Sequence, residues 1–218
     1  MRQNYFFEYV PNAYINLCVD KAQQMANNRF IYDFKAGKPA ATRFCAELLI
    51  SYLTKQYSTI LKDFVVVFAP TSAQWKYNKR FGYLAALLNA AGIATANEHV
   101  SIFGERKPTH NGGSHFVNES FYHVSINADF FKGKNVILFD DLLTSGQTIE
   151  SFKKQLEEAG AYVEREIFVG RTIHHCPISN RGILQEMEEG FYEAVARSKR
   201  CFPQGVKINK FNHINNVA

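Results

Sequence analysis

Unbroken apolar runs in this chain alternate with stretches whose apolar positions recur every three or four residues. Phe64-Val-Val-Val-Phe-Ala69 and Val136-Ile-Leu-Phe139 are the clearest runs. Their β-branched and aromatic content predicts strands buried on both faces, as in a parallel sheet. Tyr162 to Val169 predicts a third strand, interrupted by Glu164, Arg165 and Glu166. Ala40 to Tyr57 sets Phe44, Leu48, Leu49 and Tyr52 on one helical stripe behind Pro39, a good opening residue. Phe81 to Ala91 and Thr148 to Ala159 read as helices stopped by Gly92 and Gly160. Strand alternating with helix predicts an α/β fold, a parallel sheet of about five strands flanked by helices. Ser101–Glu119 breaks the rhythm with Gly104, Pro108, Gly112 and Gly113, and predicts a loop that is poorly ordered without ligand.

Composition narrows the class. Hydrophobic residues make up 46% and charged residues 21%, an ordinary globular balance. The excess of 25 Lys+Arg over 20 Asp+Glu lies entirely in residues 194–218, which hold Arg197, Lys199, Arg200, Lys207 and Lys210 and no acid. The remaining chain is neutral, which excludes a protein coated with positive charge along its whole length. Cys18, Cys45, Cys176 and Cys201 are scattered without a C-x-x-C pair, so neither a disulfide framework nor a zinc ribbon is expected. The first residues lack a signal-peptide core, and no apolar run approaches the ~20 residues that cross a bilayer. A soluble, cytoplasmic protein is expected, with no membrane partner.

The chemistry concentrates in Val136-Ile-Leu-Phe-Asp140-Asp141-Leu142-Leu143-Thr144-Ser145-Gly146-Gln147-Thr148. A buried strand ends in two carboxylates, and a small hydroxyl/glycine turn then opens a helix. Ligands of open α/β sheets bind beyond the carboxyl ends of the strands. The turn can aim backbone N–H groups and the Thr144, Ser145 and Thr148 hydroxyls at an anion, and Gly146 lets the backbone come close. Adjacent carboxylates suit sugar hydroxyls or Mg²⁺. Together these are pockets for the two ends of a sugar phosphate.

Val136–Thr148 resembles the phosphoribosyl-pyrophosphate (PRPP) signature of type I phosphoribosyltransferases. Asp33-Phe-Lys35-Ala-Gly-Lys and the helix through Ala46-Glu47-Leu48-Leu49 are similar to the opening of competence-protein-F-like members of that family. Val65–Pro70 resembles their strand into the pyrophosphate loop, and Lys79-Arg80-Phe81-Gly-Tyr-Leu resembles their arginine-rich helical segment with an inverted Gly-Phe order. Gly170-Arg171-Thr172 matches the end of their last core strand. The zinc ribbon that opens many members is missing.

The resemblance implies a Rossmann-like core over about 30–172 in a single domain spanning 1–218. A small hood from about 1–30 and 173–218 would complete it. It implies that Asp140 and Asp141 receive the ribose hydroxyls and seat Mg²⁺, the cofactor. Leu142, Leu143, Thr144, Ser145, Gly146, Gln147 and Thr148 would hold the 5′-phosphate. Pro70, Thr71, Ser72 and Ala73 would form the pyrophosphate loop, with Arg80 facing it. Arg106 and Lys107 would close over the site as catalytic cations. The implied reaction is transfer of a phosphoribosyl group from PRPP to an unidentified nitrogen acceptor. The alternative is a PRPP sensor that binds nucleic acid or a protein through its basic tail; a second copy of the chain is a further candidate partner. Replacing both acids by Asn is expected to weaken PRPP binding by two to three orders of magnitude and to leave stability nearly unchanged. His174-His175-Cys176 reads as a strand end whose neighbouring side chains diverge. Ile183, Leu184, Met187, Phe191 and Val195 read as a packed helix, and Trp75 and Tyr77 as core residues.

Overall fold

The computed structural model describes residues 4–18, 20–106 and 122–173. In chain order they form β1 (Asn4–Tyr9), α1 (Lys21–Lys35), α2 (Pro39–Tyr57), β2 (Phe64–Phe68), α3 (Gln74–Ala90), β3 (Val100–Phe103), β4 (His123–Ile126), the short α4 (Ala128–Phe131), β5 (Asn135–Leu143), α5 (Gln147–Glu158) and β6 (Tyr162–Thr172). Four strands make one parallel sheet in the order β1-β6-β5-β2. On the outer side of β2, Val66 N–H donates to Ala94 O and Ala96 N–H to Val66 O, a single bridge in the position of a fifth strand. The architecture is the α/β sheet flanked by helices that the apolar pattern predicts. β3 and β4 pair antiparallel as a separate ribbon.

The central strands form because nearly all of their side chains are buried: Val65, Val66, Val67 and Phe68 in β2, Val136 through Phe139 in β5. The helices seal this sheet with aromatic rings. Phe81 of α3 stacks on Phe68 at 4.7 Å, and Phe34 of α1 meets Phe139 edge-on at 6.2 Å. All four rings are fully buried, each contributing about 1.5–3 kcal/mol. They lie directly under the carboxyl ends of β2 and β5, so the floor of the crevice above is rigid.

The N-terminal segment departs from expectation. Residues 1–30 read as irregular hood, but Asn4–Tyr9 is the edge strand of the main sheet, with Tyr5 in register with Phe168. Helix α1 then closes that edge with amide side chains. Asn28 donates to Val10 O at 2.6 Å and accepts from Val10 N–H at 3.2 Å, while Gln24 donates to Glu8 O at 2.7 Å. Backbone groups that would otherwise template another strand are thereby occupied. The helix at Phe81–Ala91 also begins earlier, at Gln74. Within it Tyr77 is buried, but Trp75 is 58% exposed, so the expected core position of Trp75 is corrected. The start of Ser101–Glu119 is corrected too, since Ser101–Phe103 belongs to β3. Residues 107–121 and the expected features at 174–218, including the His-His-Cys segment, the helix at 183–195 and the basic tail, lie outside the described residues.

Candidate functional site

From β2 the chain passes through α3 to the bridge at Thr95, on one side; from β5 it passes through α5 to β6, on the other. The direction of winding therefore reverses between β2 and β5. That reversal opens a crevice at the carboxyl ends of the two strands, where ligands of such sheets bind. Phe68 pairs with Phe139, and Ala69 N–H donates to Phe139 O at 2.9 Å. Continuing that register sets Ala69 beside Asp140 and Pro70 beside Asp141, roughly 5 Å apart by strand spacing. The two loops singled out in the sequence thus flank one crevice.

On the β5 side, Leu143 is buried, and half-buried Leu142 packs with Ile31 over Gly170, where a Cβ would meet Ile31 at 2.6 Å and Leu142 at 3.2 Å. Thr144, Ser145 and Gln147 are exposed, and Thr148 is half-buried. Gly146 is the N-cap of α5 and adopts φ +80°. A Cβ there would meet only Leu143, at 3.6 Å. Its requirement is therefore the left-handed backbone rather than space. The N-cap residue offers no side-chain cap; the Gln147 N–H donates to Ser145 Oγ at 3.5 Å, and the next first-turn N–H groups are the anion donors.

On the β2 side, the loop Pro70–Ala73 is held by its carbonyls. Tyr122 Oη donates to Thr71 O at 2.8 Å, Arg106 N–H to Ser72 O at 2.8 Å, and Thr71 Oγ1 to Ala73 O at 2.8 Å. In a trans peptide the N–H points opposite to the carbonyl. The N–H groups of Ser72 and Ala73 are thereby turned to the other face of the loop, as a pyrophosphate cradle needs. Lys76 fixes the Ser72 hydroxyl at 3.0 Å and pairs with Glu105 at 2.6 Å.

Arg106 sits over the ring of Tyr122 at 5.2 Å. With Pro70, Tyr122, Gln147, Thr148 and Phe152 it walls a cavity of about 390 Å³. Arg106 is thus brought beside both loops, whereas Lys107 lies outside the described residues. Tyr122 and Gln155 were not singled out in the sequence. Tyr122 follows a segment without apolar period, and Gln155, which donates to Val124 O at 3.0 Å, is one polar residue on a polar helix face.

The two carboxylates are not equivalent. Asp141, 6% exposed, is in direct contact with Arg80 and has the Lys35 ammonium at 4.0 Å. Arg80 also donates through Nε to Lys35 O at 3.3 Å, tying α1 and α3 together at the acid. Half-buried Asp140 accepts from the Asp141 N–H at 2.8 Å. Its pKa is pushed up to about 7, first by burial and then by the neighbouring Asp141 charge, against weaker pulls from that N–H, Arg80 and Lys35. Arg80, expected to face the pyrophosphate loop, makes its contacts with Asp141 and Lys35 O. A divalent cation needs an open set of anionic oxygens. With Asp141 in direct contact with Arg80 and a second cation 4.0 Å away, the pair does not fit the Mg²⁺ seat expected of it. Among the described residues no three His, Cys, Asp or Glu side chains converge as a metal site.

No family model matches the chain, and no curated protein matches it by sequence. Solved structures do. The adenine phosphoribosyltransferase of Saccharomyces cerevisiae, in complex with an imino-altritol bisphosphate and adenine, is 18% identical with a TM-score of 0.40, covering 62% of this chain and 70% of that one. The adenine phosphoribosyltransferase of Thermoanaerobacter pseudethanolicus is 21% identical with a TM-score of 0.38, over 62% and 70%. The phosphoribosylpyrophosphate synthetase of Mycobacterium smegmatis is 22% identical with a TM-score of 0.36, over 59% of this chain and 33% of that one. Among the described residues no helix is long and apolar enough to cross a membrane.

Proposed function

We propose that this chain binds PRPP in the crevice between β2 and β5 and transfers its phosphoribosyl group to a nitrogen acceptor. The observation that carries this reading is the placement of both loops at the point where the sheet's winding reverses. An anion-binding helix start follows β5, and a loop with outward N–H groups follows β2. A molecule carrying a phosphate at one end and a pyrophosphate at the other, joined by a ribose, spans that spacing.

The 5′-phosphate lies on the first turn of α5, among the Thr144, Ser145 and Thr148 hydroxyls. The ribose hydroxyls donate to Asp140, the half-buried acid that faces no direct ion-pair partner among the described residues. The pyrophosphate rests on the Ser72 and Ala73 N–H groups, with Arg106 at the rim. In the reaction the acceptor nitrogen forms a bond to C1 as the C1–O bond breaks. Pyrophosphate leaves with the electron pair, and the acceptor loses a proton. The protein's share is to hold these groups in line and to meet the charge that develops on the leaving oxygen. With the leaving group over β2 and the ribose over β5, an in-line acceptor approaches from the β6 side.

Titration calorimetry of the full chain with PRPP, followed by pyrophosphate release in the presence of a panel of bases and amines, tests the reading. Binding with turnover on one acceptor supports it. Binding without turnover on any acceptor assigns the site to a sensor instead. No binding removes the sugar-phosphate site altogether.

A further inference from the structure

Two short basic segments far apart in the sequence, Lys35-Ala-Gly-Lys38 and Lys79-Arg80, meet at Asp141. Three features fix the meeting. Gly37, at φ +70°, lies so close to α3 that a Cβ would come within 2.3 Å of Lys79 O. Arg80 Nε donates to Lys35 O while its Nη1 contacts the Asp141 carboxylate. Asp33, the nearest competing acid on α1, is already taken by Lys38 at 2.7 Å and Arg29 at 3.9 Å, so it does not draw Lys35 away. Two cations therefore face the buried Asp141 carboxylate, with Asp140 beside it, and the two cations differ in freedom. Arg80 is only 11% exposed and immobilised by both its bonds, whereas Lys35 is 45% exposed and stands 4.0 Å off. Arg80 neutralises Asp141, and Lys35 has the reach to turn toward an incoming anion.

We infer that Lys35 and Arg80 together fill the electrostatic role of a divalent cation at this site, so that the chain binds PRPP without one. The inference rests on the PRPP reading above and adds how its charge is met. A metal at the acids would have to enter against the fixed Arg80 and the nearby Lys35; an ammonium on a four-carbon stem already there supplies the counter-charge instead. Lys35 is the residue that meets the pyrophosphate, and Arg80 acts as a positioning residue that holds Asp141 beside it.

The test is calorimetric titration of the full chain with PRPP, once in excess EDTA and once in millimolar Mg²⁺. The parent is expected to bind with affinities within about threefold of each other, a difference well under one charge-assisted hydrogen bond. Lys35→Met is expected to lose about 10–100-fold in EDTA, the loss of one such bond, and to recover part of it in Mg²⁺. Lys35→Arg should stay near the parent. Thermal melts of both variants confirm folding, which an exposed side chain on a helix end should hardly affect. A parent that binds PRPP at least tenfold tighter with Mg²⁺ overturns the inference and leaves the PRPP reading standing. So does a Lys35→Met variant that binds as the parent does in EDTA. No binding in either buffer overturns the PRPP reading and this inference with it.

Discussion

Replacing the two adjacent acids one at a time by Asn should move stability in opposite directions. Asp141→Asn keeps the shape but removes the charge that Arg80 faces, leaving a guanidinium 11% exposed with Lys35 O as its remaining bond. Breaking one side of a buried pair in this way costs about 3–5 kcal/mol. Asp140→Asn removes a carboxylate whose ionisation the fold opposes. A group with a folded pKa above its unfolded value contributes stability that is fully present below the unfolded value and is lost as pH rises through the folded one. For Asp140 that window runs from 3.8 to about 7. At about 1.4 kcal/mol per pH unit it sets a ceiling of about 4 kcal/mol. Solvent access to a half-buried carboxylate reduces this to about 1–3 kcal/mol. The Asp140→Asn variant should therefore match the parent near pH 4 and exceed it at pH 8, with a flatter dependence between.

Urea denaturation of the parent and both variants at pH 4, 6 and 8 gives the signs directly, and m-values show whether the unfolded state has changed. Adding Arg80→Met completes a cycle with Asp141→Asn, in which the double variant should be more stable than the sum of the singles by about 1–3 kcal/mol. If Asp141→Asn costs less than about 1 kcal/mol, or both acids move stability the same way at pH 8, the buried pair is not what holds α1 and α3 at the strand end. The sequence had suggested that substituting both acids together would leave the fold nearly untouched; the contact of Asp141 with Arg80 corrects that.

Two further substitutions separate backbone constraint from crowding and locate the edge seal. Gly37→Ala places a Cβ against the Lys79 carbonyl at 2.3 Å with φ +70°, and should cost about 2–4 kcal/mol, whereas Gly170→Ala meets only side-chain atoms, Ile31 Cδ1 at 2.6 Å and Leu142 Cδ1 at 3.2 Å, which can shift, and should cost about 1–2 kcal/mol; equal thermal shifts would refute the distinction. Asn28→Ala leaves the buried Val10 N–H and C=O without their side-chain partner and should cost about 2–4 kcal/mol in urea denaturation; a loss under about 0.5 kcal/mol would place the edge seal elsewhere.

What the sequence disclosed follows from where each signal is stored. β2 and β5 are legible because a strand buried on both faces must be apolar at every position, and Val65–Phe68 and Val136–Phe139 are. The crevice is legible because its turn directly follows such a strand. Helix α1 is not, for the opposite reason: its first buried positions are Gln23, Gln24, Asn27 and Asn28, and only its last turns bury Phe30, Ile31 and Phe34, so amides that seal a strand edge interrupt the apolar stripe along half of it. β1 fails with it, since a strand's membership of a sheet depends on a partner, here β6, at the other end of the described chain. The same distinction governs the site. Asp140 and Asp141 are one letter repeated, and nothing local separates them. What separates them is that Arg80 arrives from α3 and Lys35 from α1, and both face the second acid. A carboxylate's charge state and role are set by the groups that face it. When those groups come from other elements, the difference is created by packing: Gly37 against Lys79 brings α1 and α3 together, and that contact makes one of two equivalent acids the partner of Arg80 and leaves the other half-buried beside it.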